Sequence, residues 1–387
     1  MKISKVVSNI PASPTLSITA KVQELRSQGK DVIGFGAGEP DFDTPENIKI
    51  SAIEAIKEGK TKYTPVGGSP KLKDAVCANI YTDYGLRVTP ENVIVSCGAK
   101  HSLYNLFLTL FESGDEVLCP SPYWVSYPPM IEIAGATPVI VDTRQTGMKL
   151  TAEGVKATIT KRTRGIIINS PSNPTGMVIE RSELEKIAEL CLMHDIIIIS
   201  DDIYMKILFG DAQFFSIATI SPEVAARTFI INGSSKTYAM TGWRIGYCIG
   251  DRDVIKAMTR LQSQSTSNPT SFAQEGAIVS LSADQSVVED RRIIFEKRKD
   301  LIVSKILEIP GLDIIPPDGS FYTFPSIKGH LDRFGGANSL AEYLLEKALV
   351  AVVPGEGFGA EDHIRLSFAT SEKNIIEGLD RIKQVLA

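Results

Sequence analysis

Residues 232–246 read NGSSKTYAMTGWRIG, and Lys236 follows shortly after TFII, an apolar run typical of a buried strand. A lysine is ordinarily a solvated surface charge. Here it stands among small residues after a buried-looking strand, and a lysine that has been made nucleophilic forms a Schiff base with an aldehyde. Lys236 is therefore the first candidate for chemistry.

Polar side chains follow two other strand-like runs. SDDIY at 200–204 places Asp201 at the end of DIIII, and NSPSNPTG at 169–176 places Asn173 after GIIIN. A buried carboxylate needs a cationic partner, and a protonated ring nitrogen is one. The alternatives are that an aspartate caps the next helix and that the Pro-rich segment is only a turn.

Two further segments suggest anion binding. SCGAKHSLYNLF at 96–107 predicts a strand, a tight turn and a helix start, where free N–H groups attract a phosphate; a plain strand–helix turn is the alternative. HIRLSFA at 363–369 places Arg365 inside an apolar strand, either as a surface-edge charge or as a fork for a carboxylate. GFGAG at 34–38 fails the dinucleotide fingerprint, because Glu39 stands where the third glycine belongs.

Each motif is weak alone, but together they describe one site. A lysine that forms a Schiff base and an aspartate that holds a pyridinium nitrogen are the standard partners of pyridoxal 5'-phosphate. The phosphate turn and the arginine would then bind the cofactor and a substrate carboxylate. The predicted cofactor is pyridoxal 5'-phosphate, and no metal site is indicated.

Such a site needs a scaffold that gathers strand ends at one edge. Seven apolar runs between 93 and 250 alternate with helical stretches such as 181–194. Continuous apolar strands are buried on both faces, which predicts an α/β fold with a mostly parallel seven-stranded sheet. A long charged helix after about 285, short strands near 321–324 and 363–369, and a last helix over 371–386 predict a smaller α+β domain. We expect a large domain over 46–285 and a discontinuous small domain over 1–45 and 286–387.

Composition excludes several other classes. The 387 residues are 43% apolar and 22% charged with a net charge of -5, so neither a nucleic-acid surface nor a membrane span of about 18 apolar residues is expected. Five scattered cysteines without a CxxC pattern predict buried free thiols in a reducing compartment. The first residues lack the apolar core of a signal peptide, so a cytoplasmic location is expected.

The ordered set of motifs resembles the class I aminotransferases of the fold-type-I pyridoxal-phosphate enzymes. It is most similar to bacterial aspartate aminotransferases, in the subgroup that also includes some prephenate aminotransferases. The motifs that carry this resemblance over nearly the whole chain are SPTL, GAGEPDFDTP, KTKYTPVGG, PYWVSYP, NSPSNPTG, SDDIY, SKTYAMTGWRIGY, VVPG and IRLSFATSE.

The resemblance implies roles around the cofactor ring. Lys236 would hold the cofactor covalently and then transfer the proton, and Asp201 would keep the ring nitrogen protonated. Asn173 and Tyr204 would hydrogen-bond the ring oxygen, and Trp124 would stack on the ring.

The resemblance also implies a phosphate site at the helix start. Gly98, Ala99 and Lys100 would lie under the phosphate, with Arg244 as its cation. Tyr63 would reach the phosphate of a neighbouring subunit, which predicts a homodimer with shared active sites.

For the substrate, the resemblance implies that Arg365 grips the α-carboxylate and that Gly38 approaches the same molecule, next to Trp124 and Asn173. The implied reaction exchanges the amino group of L-aspartate with 2-oxoglutarate, giving oxaloacetate and L-glutamate. A dicarboxylate needs a second cation, and Lys100 is the candidate from this chain. Members that accept prephenate often carry a basic residue near the position of Pro11, and NIPASPTL has none.

Two alternatives remain open. One is an aminotransferase with another donor or acceptor, such as an aromatic amino acid, alanine or prephenate. Another is a carbon–sulfur β-lyase on the same fold, which would release pyruvate from cystathionine without a keto acid. A cofactor-binding transcription regulator would need an additional N-terminal DNA-binding domain, and it is not expected because this chain enters the family pattern by residue 13.

Overall fold

The structure is a computed structural model that describes residues 1–8, 10 and 14–387, without the side chains of residues 14–16. Pro11, on which the prephenate argument depends, and the beginning of SPTL lie outside the described residues.

Helices and strands alternate along most of the chain. The helices are α1 Lys5–Ser8, α2 Pro14–Ser27, α3 Glu46–Lys57, α4 Pro70–Tyr84, α5 Ala99–Leu110, α6 Tyr127–Ile133, α7 Ala152–Thr158, α8 Arg181–Met193, α9 Pro222–Arg227, α10 Arg252–Ser263, α11 Ser271–Ser282, α12 Ser286–Leu307, α13 Leu331–Phe334, α14 Ala337–Lys347 and α15 Glu372–Leu386. The strands are β1 Ile33–Gly34, β2 Val93–Ser96, β3 Glu116–Ser121, β4 Thr137–Asp142, β5 Thr163–Asn169, β6 Ile197–Asp201, β7 Thr228–Gly233, β8 Gly246–Ile249, β9 Tyr322–Thr323, β10 Val350–Ala351, β11 Val353–Pro354 and β12 Ile364–Ser367.

The main sheet contains the seven strands expected from the sequence, in the order β2-β8-β7-β6-β5-β3-β4. Strand β8 is antiparallel to both its neighbours, and the other pairs are parallel. Asn169 pairs with Asp201, and Asp201 pairs with Ile231. Because parallel strands end at the same edge, the residues that follow β5, β6 and β7 meet there.

Both faces of this sheet are buried, which explains the continuous apolar runs. Ile166 and Ile168 pack on one face with residues of α7, α8 and α9, and Ile167 packs on the other with α5, α6 and α10. Each of these isoleucines is at most 2% exposed. Burying such a side chain stabilises the fold by roughly 1.5–3 kcal/mol.

The smaller sheets join distant parts of the chain. Strand β1 pairs in parallel with β10, so residues near 33 lie beside residues near 350. A second sheet has the order β11-β12-β9, with antiparallel pairs that place Tyr322 opposite Ser367. Helices α12, α14 and α15 contribute buried residues to the core beneath these strands. The domain boundaries stay a prediction.

All five cysteines are free thiols, three of them buried, whereas Cys77 and Cys97 are half-buried. Within the described ranges, no helix is long and apolar enough to cross a membrane.

Candidate active site

A cavity of about 380 Å³ opens at the edge of the sheet where β5, β6 and β7 end. It brings together ten of the predicted site residues: Gly38, Ala99, Lys100, Trp124, Asn173, Asp201, Tyr204, Lys236, Arg244 and Arg365. Two predicted residues do not line it. Gly98 lies next to it at the start of α5, and Tyr63 is 92% exposed on the surface.

Lys236 lines the cavity, and its Nζ donates a hydrogen bond to the carbonyl oxygen of Gly38 at 2.5 Å. Burial of the ammonium lowers the pKa of Lys236 to about 8; Glu39 opposes this shift, and Arg244 and Arg365 add to it. A lysine with such a pKa has a substantial neutral fraction near neutral pH, and the neutral amine is the nucleophile.

The small residues before Lys236 serve two purposes. Ser235 lines the cavity, as expected if a ligand approaches the backbone. Gly233 is small for another reason, because a Cβ there would lie 2.9 Å from Gly246 Cα and from the carbonyl oxygen of Ile245. The close packing of β7 against β8 therefore requires that glycine, and ligand access explains only part of the pattern.

Asp201 presents one unpaired carboxylate oxygen at the cavity. Its side chain is 5% exposed, Oδ2 accepts a 2.6 Å hydrogen bond from the Tyr127 hydroxyl, and buried Oδ1 has no partner in the described residues. Burial raises the pKa of Asp201 to about 6, although the Tyr127 bond favours the charged form. A buried oxygen without a donor is costly, so the site fits a ligand that brings a cationic N–H group.

The neighbouring carboxylate is bound elsewhere. Asp202 accepts hydrogen bonds from Ser200 Oγ at 2.6 Å and from the Tyr84 hydroxyl at 3.0 Å, and it is 2% exposed. Burial raises the pKa of Asp202 to about 7. Asp201 lines the cavity, which supports the choice made from the sequence.

The start of α5 forms a narrow anion-binding turn. Gly98 has φ +93°, a backbone conformation that favours glycine, and a Cβ there would lie 2.4 Å from Arg244 Nη2, so a side chain at position 98 would displace the Arg244 guanidinium. Arg244 donates to the carbonyl oxygens of Thr241 at 2.8 Å and Cys97 at 3.3 Å. The first N–H groups of a helix lack partners within it, and with Arg244 beside them they suit a phosphate.

Arg365 is a buried cation without a counter-ion. It is 2% exposed, and Nη1 donates to Asn173 Oδ1 and Nη2 to the Gly36 carbonyl oxygen, both at 3.0 Å. Its Nε is buried and unpaired, and no acidic side chain in the described part of the chain forms an ion pair with it. An uncompensated buried charge is strongly unfavourable, so this arginine fits an incoming carboxylate.

Trp124 and Lys100 lie at the other side of the cavity. Lys100 Nζ is 4.8 Å from the centre of the Trp124 ring, which itself packs edge-on against Tyr127 at 5.2 Å. Lys100 is exposed overall, but its pKa is lowered. The larger cause is desolvation of its ammonium, and the smaller is repulsion from Arg244. Across residues 1–8, 10 and 14–387, no carboxylate pairs with Lys100 within 4.0 Å, so it is available for a ligand.

Sequence reasoning missed two tyrosines of the site. Tyr127 stands three residues after Trp124 within PYWVSYP, so the motif itself contained the signal. Tyr322 lies on the two-residue strand β9, and its hydroxyl is 3.0 Å from the Tyr204 hydroxyl. Nothing in the local sequence around 322 distinguishes it from a core tyrosine.

Comparison with known proteins agrees with this geometry. Residues 30–382 match the family model of the class I and II aminotransferases. The chain belongs to this family. The aminotransferase is 50% identical over 390 residues to the aspartate aminotransferase of Geobacillus stearothermophilus, with 100% of this chain and 99% of the relative covered. It is 49% identical to a probable aspartate/prephenate aminotransferase of Aquifex aeolicus, covering 98% and 97% of the two chains.

The solved structure of Thermus thermophilus aspartate aminotransferase with maleate superposes on the aminotransferase with a TM-score of 0.95, at 42% identity and full coverage of both chains. The family and the fold class expected from the sequence are thus confirmed. Transamination is the reaction of this family.

Proposed function

We propose that this aminotransferase uses pyridoxal 5'-phosphate to exchange the amino group of L-aspartate with 2-oxoglutarate, which yields oxaloacetate and L-glutamate. The observation that carries the proposal is the set of groups that meet around one cavity: the unpaired Oδ1 of Asp201, the Lys236 amine, which donates to the Gly38 carbonyl oxygen, and the Arg365 cation, which has no counter-ion in the described residues. Each of these groups lacks a partner that the proposed cofactor or substrate would provide.

The cofactor, when bound, supplies an aldehyde and a protonated ring that withdraws electrons from the substrate carbon. Asp201 would hold the proton on the ring nitrogen through Oδ1, since Tyr127 already occupies Oδ2. Asn173 and Tyr204 would bind the ring oxygen, and Trp124 would cover the ring.

The phosphate would be held at the start of α5. Gly98 gives the turn its positive φ angle, and Ala99 and Lys100 present first-turn N–H groups. Arg244 is held beside them by its bonds to backbone carbonyl oxygens and would supply the positive charge.

Lys236 would act as nucleophile and as proton carrier. Its bond to the Gly38 carbonyl oxygen holds Nζ inside the cavity, and its pKa of about 8 lets it release and accept a proton near neutral pH. Because Gly38 accepts this hydrogen bond from Lys236, its backbone would lie close to a substrate bound in the cavity.

The substrate would bind between two cations. Arg365 would hold the α-carboxylate with its unpaired Nε and adjacent Nη atoms. Lys100, on the other side of the cavity beside Trp124, would pair with the distal carboxylate of aspartate or 2-oxoglutarate. This second pairing is what would favour dicarboxylates over alanine or aromatic donors.

A homodimer with shared sites fits the surface of the chain. Tyr63 is 92% exposed and lies outside the cavity, as expected if it serves a second copy. Helix α3 also exposes Ile50, Ile53 and Ile56, each at least 45% exposed and three residues apart, which forms an apolar stripe suited to burial in an interface. The expected cytoplasmic location stays a prediction.

Subunit mixing tests the sharing. In a mixed dimer of Tyr63→Ala and Lys236→Ala chains, one site would lack both residues and the other would have both. Mixing should therefore restore activity above the sum of the two separate variants. No gain, with mixed dimers demonstrated by native mass spectrometry, would contradict the role of Tyr63.

A half-reaction screen tests the substrate. Single amino acids are added to the cofactor-loaded enzyme, and the visible absorbance is followed. We expect aspartate and glutamate to react with higher kcat/KM than alanine, phenylalanine or tyrosine. A faster reaction with aromatic donors would indicate another donor. Reaction of the aminated enzyme with prephenate would support that acceptor, which the name of the Aquifex aeolicus relative includes. Pyruvate release from cystathionine without a keto acid would indicate the β-lyase.

A further inference from the structure

Tyr322 occupies the boundary between the groups assigned to the cofactor and those assigned to the substrate. It lies on β9, is 1% exposed and lines the cavity. It comes from the C-terminal part of the chain, whereas Tyr204 follows β6 of the main sheet.

The hydroxyl of Tyr322 is directed at Tyr204. The two hydroxyl oxygens are 3.0 Å apart, and the rings pack edge-on with centroids 5.8 Å apart. A tyrosine hydroxyl has one proton to donate and can also accept. When Tyr322 donates to Tyr204, the Tyr204 proton remains available for a ligand in the cavity, and the chain of hydrogen bonds makes Tyr204 a stronger donor.

The ring of Tyr322 has a different partner. The guanidinium carbon of Arg365 lies 4.3 Å from the ring centre. A cation over an aromatic face is stabilised, most strongly where water is excluded, and both residues are at most 2% exposed. The hydrogen bonds of Arg365 to Asn173 and Gly36 fix two of its nitrogens, and the Tyr322 ring supports one face of the group.

We propose that Tyr322 is a positioning residue with two separable parts: its hydroxyl orients the Tyr204 hydroxyl toward the cofactor, and its ring holds Arg365 ready for the substrate carboxylate. This inference rests on the proposed function, because the proposed function gives the Tyr204 hydroxyl the cofactor as its partner and gives Arg365 the substrate carboxylate. It predicts that a change to the hydroxyl and a change to the ring alter different measurements.

The hydroxyl is tested with Tyr322→Phe in the cofactor-loaded enzyme. The pH midpoint of the visible absorbance should rise by about 0.5 to 1 unit, because a weaker Tyr204 donor stabilises less negative charge on the ring oxygen. In the Tyr204→Phe background, the same substitution should cause no further shift. Tyr247→Phe, which removes the hydroxyl of another buried tyrosine, should leave the midpoint unchanged.

The ring is tested with maleate, a dicarboxylate without an amino group. Tyr322→Phe keeps the ring, so its maleate Kd should stay within about twofold of the wild-type value, whereas Tyr322→Leu should raise it by roughly threefold to thirtyfold. An unchanged midpoint in Tyr322→Phe, or an equal shift in the Tyr204→Phe background, would overturn the inference. So would a Kd that rises equally in both variants. A wild-type enzyme that shows no visible absorbance with the cofactor would instead contradict the proposed function, and the inference with it.

Discussion

Removal of the Tyr127 hydroxyl should change how Asp201 titrates. The 2.6 Å bond from Tyr127 to Oδ2 is buried and has a charged acceptor, so it contributes about 1.5–3 kcal/mol to the ionised form. One pKa unit corresponds to about 1.36 kcal/mol. Tyr127→Phe should therefore raise the pKa of Asp201 by about 1 to 2 units above its present value of about 6.

The titration can be followed in cofactor-free protein by the infrared band of the protonated carboxyl group. The difference between wild type and Asp201→Asn assigns the band to Asp201. Tyr84→Phe is the matched control, because Tyr84 donates to Asp202 instead and should move mainly the transition of that residue. With the cofactor bound, Tyr127→Phe should slow the aspartate half-reaction by up to roughly ten- to a hundredfold, if the whole bond energy is lost at the transition state.

A Tyr127→Phe variant whose Asp201 titration stays within about 0.3 units of wild type would refute this reasoning. It would mean that water or another donor replaces the hydroxyl, since the free energy of the charged form would be unchanged. A shift of the Asp202 transition alone would show that the two carboxylates had been assigned to the wrong partners.

Three more variants test the remaining parts of the site. Lys236→Ala should lose the visible absorbance of the bound cofactor and nearly all transamination, measured in the half-reaction; activity near the wild-type level would exclude Lys236 as the proton carrier. In cofactor-free protein, the free energy of unfolding of Asp201→Asn should rise relative to that of wild type by up to about 3 kcal/mol between about pH 4 and about pH 8. The reason is that a carboxyl with a folded pKa of about 6 destabilises the wild-type fold once it ionises. Urea unfolding at several pH values measures the difference between the two proteins, and a difference that stays constant with pH would show that the pKa of Asp201 is not raised. Lys100→Ser should lower kcat/KM for aspartate and 2-oxoglutarate by about tenfold to a hundredfold while monocarboxylic donors change little; an equal loss for alanine, phenylalanine and aspartate would assign Lys100 to the cofactor.

Much of the scaffold was predictable because its signal is local. Seven apolar runs marked the seven strands of the main sheet, since strands buried on both faces cannot alternate with polar residues. The ends of those runs placed Asp201, Asn173 and Lys236 at one edge without knowledge of the strand order. The pairing of β1 with β10 depends on contacts across more than 300 residues and has no local signal.

The site was predictable where a charge stood in an apolar setting. Arg365 in its strand and Lys236 after TFII were both recognisable on that basis. Tyr322 was not, because a tyrosine in the segment FYTF resembles any core residue until the fold places its hydroxyl 3.0 Å from that of Tyr204. The reason for a glycine at position 233 was predictable only in part, because a side chain there would collide with the neighbouring strand β8 and its flanking residue.

The most direct test of the proposed function is borohydride reduction of the cofactor-loaded enzyme, followed by peptide mapping. Reduction fixes the cofactor to whichever lysine holds it. The proposal predicts one labelled peptide, containing Lys236, whose label disappears when excess L-aspartate is added before reduction and returns after 2-oxoglutarate is supplied. Label on a different lysine, or label on Lys236 that aspartate does not remove, would contradict it.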